Sequence, residues 1–106
     1  MLKVDGHSVQ MTRGDSVRLR ITLEGREMQS GAKALFTVKR GPWDESDPVI
    51  EKVLDVVDGV VEILLEPLDT HIEPGAYVWD VRIRDGEDVL TPMEYAAWHV
   101  LEAIGQ

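Results

Sequence analysis

The chain has 106 residues, enough for a single domain over 1–106 that buries roughly 65% of its unfolded surface and needs no covalent staple. It has no cysteine, which excludes a disulfide framework, a thiolate metal site and a cysteine nucleophile. Its 20 acidic against 11 basic residues leave a net charge of −9, which opposes nucleic acid as a partner.

The first ten residues, "MLKVDGHSVQ", lack the apolar run of a signal peptide, and no stretch approaches the ~20 apolar residues of a membrane span. The expected product is therefore soluble, made in the cytoplasm and without a membrane partner. In "MTRGDSVRLRITL", Arg13-Gly14-Asp15 has the form of a cell-adhesion signal. It reads better as a turn, in which Gly14 relaxes the backbone and Asp15 with Ser16 satisfies turn N–H groups. An integrin partner is not expected in a chain without secretion signal or cysteines. The residues that follow alternate, Val17, Leu19, Ile21 and Leu23 on one face and Arg18, Arg20 and Thr22 on the other, which is a half-buried strand.

"LEGREMQSGAK" reads as a loop, and "ALFTVKR", Ala34 to Arg40, as a second strand. "GPWDESDP" is an exposed connection framed by Pro42 and Pro48, and Val49 to Val57 is a third strand. Asp58-Gly59 is the best short-range hairpin signal, because a type I′ turn needs positive φ at both positions. A strand follows with Val61, Ile63 and Leu65 inward, and then "PLDTHIEPG" suits a turn or one short helical turn rather than a strand. "AYVWDVRIR" is the clearest strand, with Tyr77, Trp79, Val81 and Ile83 opposite Asp80, Arg82 and Arg84. After the turn at Asp85-Gly86, "VLTPMEYAAWHVLEA" returns, interrupted at Pro92. Residues 93–104 fit either a helical face or a closing strand, and the strand is preferred because an all-β domain needs one there. Six or seven short strands without helix-length periodicity point to an antiparallel sandwich or barrel.

Several pieces in order resemble the small immunoglobulin-like domains of tailed-phage and prophage structural proteins, similar to the N-terminal domain of the baseplate upper protein family. "RGDSVRLRITL" resembles that family's Gly-Asp opening before its first long strand, and "FTVKR" its second core strand. "VVEILLEPLDT" followed by "GAYVWDVRI" resembles its most recognisable segment, a strand, a Pro-x-Asp-Thr turn and a Gly-x-Tyr-x-x-Asp strand. "TPMEYAAWHV" sits where its last strand begins with Thr and ends in an aromatic-x-Val, although "MEYAA" replaces the usual small-residue turn. The resemblance implies an all-β, immunoglobulin-like antiparallel β-sandwich of six to seven strands. It also implies a non-enzymatic component of a virion, in the tail or baseplate, that contacts other virion subunits and forms a homo-oligomer.

Within the central segment, Tyr77 is placed to turn its hydroxyl back to the preceding connection as a tyrosine corner. Asp69 and Thr70 are expected to cap the turn by accepting backbone N–H bonds, and Gly75 to supply unrestricted φ. No catalytic, cofactor-binding or metal set emerges. His7, His71 and His99 lack ligand spacing and read as surface histidines. Asp80 and Glu94 read as solvated carboxylates, and Ser8, Ser16, Ser30 and Ser46 lack a nucleophile elbow. Trp43 is either an anchor for a partner or a sugar, or a ring folded over the sandwich edge. Trp79 and Trp98 read as core. Arg18, Arg20, Lys39, Arg82 and Arg84 lie on solvated strand faces by default, but gathered into one basic stripe they would dock an acidic patch of a neighbouring copy.

Overall fold

The computed structural model describes residues 3–5, 8–23, 31–43, 47–90 and 95–104. These form nine strands and no helix: β1 (Lys3–Asp5), β2 (Ser8–Thr12), β3 (Val17–Thr22), β4 (Lys33–Lys39), β5 (Ile50–Asp55), β6 (Val60–Leu65), β7 (Gly75–Asp85), β8 (Asp88–Leu90) and β9 (Ala96–Leu101). The period-2 pattern decides the faces. Val17 and Leu19 are buried between exposed Arg18 and Arg20, and on β7 Tyr77, Trp79, Val81 and Ile83 all point inward. β9 is a strand whose Trp98 and Val100 are buried on either side of exposed His99, so of the two forms open to 93–104 the described part takes the strand. Residues 93 and 94, with Pro92, lie outside the described residues.

Six or seven strands become nine because the N-terminal strands escape sequence reading and the final segment divides into β8 and β9. β2 carries only Val9 and Met11 as apolar residues, too few to stand out, yet both are fully buried.

The large sheet runs β1-β2-β9-β7-β4-β5, with β8 added to the far half of β7, and the small sheet is the pair β3-β6. One pairing departs from the antiparallel expectation, since β2 runs parallel to β9 with Val9 opposite Trp98 and Met11 opposite Val100. The Asp58-Gly59 turn has φ of +52° and +73°, as a type I′ turn needs, and Val57 and Val60 exchange hydrogen bonds of 3.0 and 2.9 Å across it. Beyond that bridge its two arms part. β5 pairs with β4 in the large sheet and β6 with β3 in the small one, so the hairpin tip becomes a crossover between layers.

Strands β3 and β6 in one layer face β4, β7 and β9 in the other, with β5 flanking β4. This is the strand grouping of an immunoglobulin-like sandwich, with β5 as a further strand beside β4.

Antibody domains place a layer-bridging disulfide in the core; this chain has no cysteine and packs three rings on the inner face of the large sheet. Trp79 stands two residues after Tyr77, where those domains place their second cysteine. It packs with Phe36 of β4 and Trp98 of β9 in a triangle whose centroids are 5.8, 5.7 and 6.0 Å apart, all tilted or edge-on, the favoured geometry for aromatic pairs. Phe36 and Trp98 are fully buried. Phe36→Ala is expected to lower the unfolding free energy by about 3–5 kcal/mol in urea titration; a loss below about 1 kcal/mol would mean that the neighbouring rings close the gap.

Candidate functional site

Two regions concentrate the residues singled out by sequence: the corner between β6 and β7, and the outer face of the large sheet. At the corner the chain leaves β6 and folds into a turn closed by its own aspartate. Asp69 Oδ2 accepts the Glu66 N–H at 2.9 Å, and Oδ1 meets Lys52 Nζ of β5 at 3.0 Å. The Glu66 N–H and then the Lys52 ammonium hold the Asp69 carboxyl below its ordinary range, against a smaller opposing effect of burial. The Tyr77 hydroxyl donates to the Glu73 carbonyl oxygen at 2.7 Å, four residues upstream. Gly75 has φ +151°, a conformation that side chains rarely adopt, although a Cβ there would meet nothing within 4 Å. Its requirement is conformational rather than steric.

Thr70 corrects the expected role. Its hydroxyl does not accept a backbone N–H in the turn; it donates to the Asp15 carbonyl oxygen at 2.6 Å, with the Pro67 carbonyl a longer second acceptor at 3.3 Å. The reason is long-range. Thr70 is fully buried against the Arg13-Gly14-Asp15 turn, where a carbonyl and not an amide faces it. In return the Gly14 N–H donates to the Thr70 carbonyl at 3.2 Å, and the Arg13 N–H to the Leu101 carbonyl at 2.8 Å. Asp15 Oδ2 accepts the Thr12 N–H at 3.1 Å, and the Asp15 N–H returns to the Thr12 carbonyl at 3.0 Å. The tripeptide is thus a closed turn stitched to the corner and to the end of β9, with its carboxylate engaged by its own backbone.

The outer face of the large sheet is set by register. Leu35 of β4 lies between Val53 of β5 and Arg82 of β7; Thr37 lies between Glu51 and Asp80; Lys33 lies between Asp55 and Arg84; and Arg84 is flanked on its other side by Val89. Lys33 and Asp55 form an ion pair. Val53 is 67% exposed and Val89 and Tyr95 are each 57% exposed, while Leu35 and Val78 are half-buried. Sequence reading passed over these apolar outer residues, although "ALF" and "VLDVV" break the alternation that a half-solvated strand should keep.

The single basic stripe does not form. Arg18 and Arg20 lie on the outer face of the small sheet, and Lys39, Arg82 and Arg84 on that of the large sheet, because β3 belongs to a different layer from β4 and β7. Trp43 is 82% exposed, and its ring leans on Gly41, where an added Cβ would lie 3.0 Å from the indole. The ring therefore rests on its own turn and still presents most of its surface. His71, His99, Ser8 and Ser16 are exposed, and Asp80 is half-buried on the sheet face; His7, Ser30, Ser46 and Glu94 lie outside the described residues. Among the described residues no three His, Cys, Asp or Glu side chains gather as a ligand set.

No protein-family model matches the chain, and no curated protein does. Solved structures similar to it include two of different kinds. One is a candidate glycoside hydrolase from Bacteroides vulgatus, at 11% identity and a TM-score of 0.53, over 91% of this chain and 17% of that one. The other is the extracellular domain of the voltage-gated sodium channel beta4 subunit, solved as parallel homodimers that explain its role in cell-cell adhesion, at 18% identity and a TM-score of 0.48, over 92% of each chain. The likeness is one of fold. The chain spans about a sixth of the glycoside hydrolase it resembles, as one module within a far larger protein.

Two outcomes follow at the corner. Tyr77→Phe, which removes only the hydroxyl, is expected to cost about 1 kcal/mol or more and to lower the melting temperature; an unchanged melting temperature would remove the corner from the stabilising interactions. Asp69 has a depressed folded-state pKa, so its contribution is present above the ordinary carboxylate value near 4 and is lost as pH falls through that range. Asp69→Asn is therefore expected to be less stable than wild type at neutral pH by about 1 kcal/mol or less, with the difference closing below about pH 4 in thermal melts.

Proposed function

We propose that this domain is a non-enzymatic structural or accessory component of a phage or prophage virion, in the tail or baseplate, acting through protein-protein contacts with other virion subunits. One observation carries the contact role. The polar side chains gathered at the corner are engaged in holding the fold, whereas the outer face of the large sheet sets exposed Val53, Val89 and Tyr95 among Arg82, Arg84, Glu51 and Asp80. An apolar patch rimmed by charge is how soluble proteins mark surfaces for other proteins. The virion setting rests on the ordered resemblance of Arg13–Leu23, Phe36–Arg40, Val60–Thr70 and Gly75–Ile83 to the phage family. The immunoglobulin-like fold is compatible with that setting and does not by itself choose it.

A second reading has its own observation. Trp43, presenting most of its indole and followed in sequence by Asp44 and Glu45, has the form of a stacking platform for a sugar, as in a carbohydrate- or cell-surface-binding module.

Deleting the gene from the producing strain and examining the particles tests the first reading: tails or baseplates that are incomplete, and the chain found by mass spectrometry in purified wild-type particles, are expected. Complete, infective particles without the chain would sink it. Binding on a glycan array that Trp43→Ala abolishes would favour the second reading.

A further inference from the structure

We infer that the free edge of β6 is a strand-docking site, which takes an extended segment of another protein that reads apolar, apolar, basic and runs antiparallel to β6. This extends the contact role proposed above to a second surface, and it does not depend on the virion setting.

The direction of the hydrogen bonds defines the edge. In an antiparallel ladder successive residues turn their N–H and C=O alternately towards the partner strand and away from it. The Leu23 N–H donates to the Gly59 carbonyl, so in the β3–β6 register Val61, Ile63 and Leu65 turn to β3, and Val60, Glu62 and Leu64 turn away. Val60 is met on that side by Val57, across the hairpin. Along Glu62 and Leu64 no described strand pairs with the edge.

The vacated place is one the hairpin itself would have filled. Continued in register past Val57 and Val60, it would set Asp55 opposite Glu62, Leu54 opposite Ile63 and Val53 opposite Leu64. Two acids directly opposite each other destabilise a strand pair. β5 instead pairs with β4, where Asp55 meets Lys33. What it leaves beside β6 is a hollow of about 380 Å³, lined by half-buried Leu54 and Val60 and exposed Val57, with Asp58 and Glu62 outnumbering its cation, Arg20.

A segment that fits this place keeps the two apolar residues and replaces the acid with a base. The residue opposite Ile63 turns inward with it, towards Leu54; the one opposite Leu64 covers that exposed side chain; and a Lys or Arg lies opposite Glu62. Main-chain bonds to Glu62 and Leu64 supply affinity, and the alternating side chains supply selection. The same edge of a second copy does not meet the need. In antiparallel edge-to-edge pairing Glu62 falls opposite an even-numbered residue between 58 and 68, and all of these are apolar or acidic.

The probe is a capped synthetic peptide that copies residues 50–55 with Asp55→Lys, compared with its unaltered copy in titrations followed by amide NMR. The altered peptide is expected to move the Glu62 and Leu64 amide signals and to bind at least about threefold more tightly than the unaltered one. Glu62→Pro removes an N–H that points away from β3 and leaves the bonds to β3 in place, and is expected to weaken binding at least about tenfold. Glu62→Lys keeps the edge and is expected to reverse the preference between the two peptides. Circular dichroism checks that both variants keep their strands. No shift at Glu62 and Leu64 with peptide up to about 1 mM would overturn the inference, and so would equal binding of the two peptides or a preference that Glu62→Lys leaves unreversed. Self-association of the wild-type chain that Glu62→Pro abolishes would also overturn it, by making a second copy the occupant of this edge.

Discussion

The triangle of Phe36, Trp79 and Trp98 is the constraint on which the rest depends. Each ring comes from a different strand of the large sheet, and β7 lies between the other two in sheet order. Because side chains alternate along a strand, burying these rings dictates which neighbours face outward: Leu35 and Thr37 beside Phe36, Val78 and Asp80 beside Trp79, Ala97 and His99 beside Trp98. A one-residue slip in any of the three strands would bring a ring to the surface and one of these outward residues into the core. The inner packing therefore sets the outer pattern with no covalent bond between the layers. In antibody-type domains a disulfide shares that task; here the core is closed by ring area and shape.

The sandwich still needs its ends tied, and the polar corner does this. Thr70 links the turn after β6 to the turn before β3, Arg13 links that turn to the end of β9, and the Lys52–Asp69 pair reaches across to β5. Segments distant in sequence meet at one pole through buried or half-buried hydrogen bonds. The parallel pairing of β2 with β9 depends on the same pole, since the Arg13–Leu101 bond follows directly after its last residue pair. Arg13-Gly14-Asp15 is thereby absorbed into the structure. The Asp15 carboxylate accepts the Thr12 amide N–H, so it serves the turn.

The comparisons bear on fold rather than chemistry. At 11% identity the likeness to a module of a candidate glycoside hydrolase shows that this chain path is reached by a very different sequence. Fold and function separate here because the sandwich is fixed by inward residues, whereas any partner reads the outward ones.

Much of this was legible in the residues alone. Strict alternation in β3, β6 and β7 specified strands and their inner faces, Asp58-Gly59 specified its turn, and Gly75 with Tyr77 marked the corner, because each is a local consequence of backbone geometry. The β2 strand, the parallel pairing, the direction of the Thr70 hydrogen bond and the separation of the arginines onto two faces were not legible. Each depends on which distant segment arrives opposite, and periodicity carries no information about that. The sequence by itself determined what faces inward on each strand. Only the tertiary structure decided which strands share a layer, and hence which outward residues stand together, because pairing across long loops is settled by the packing of the whole core and not by any single stretch of it.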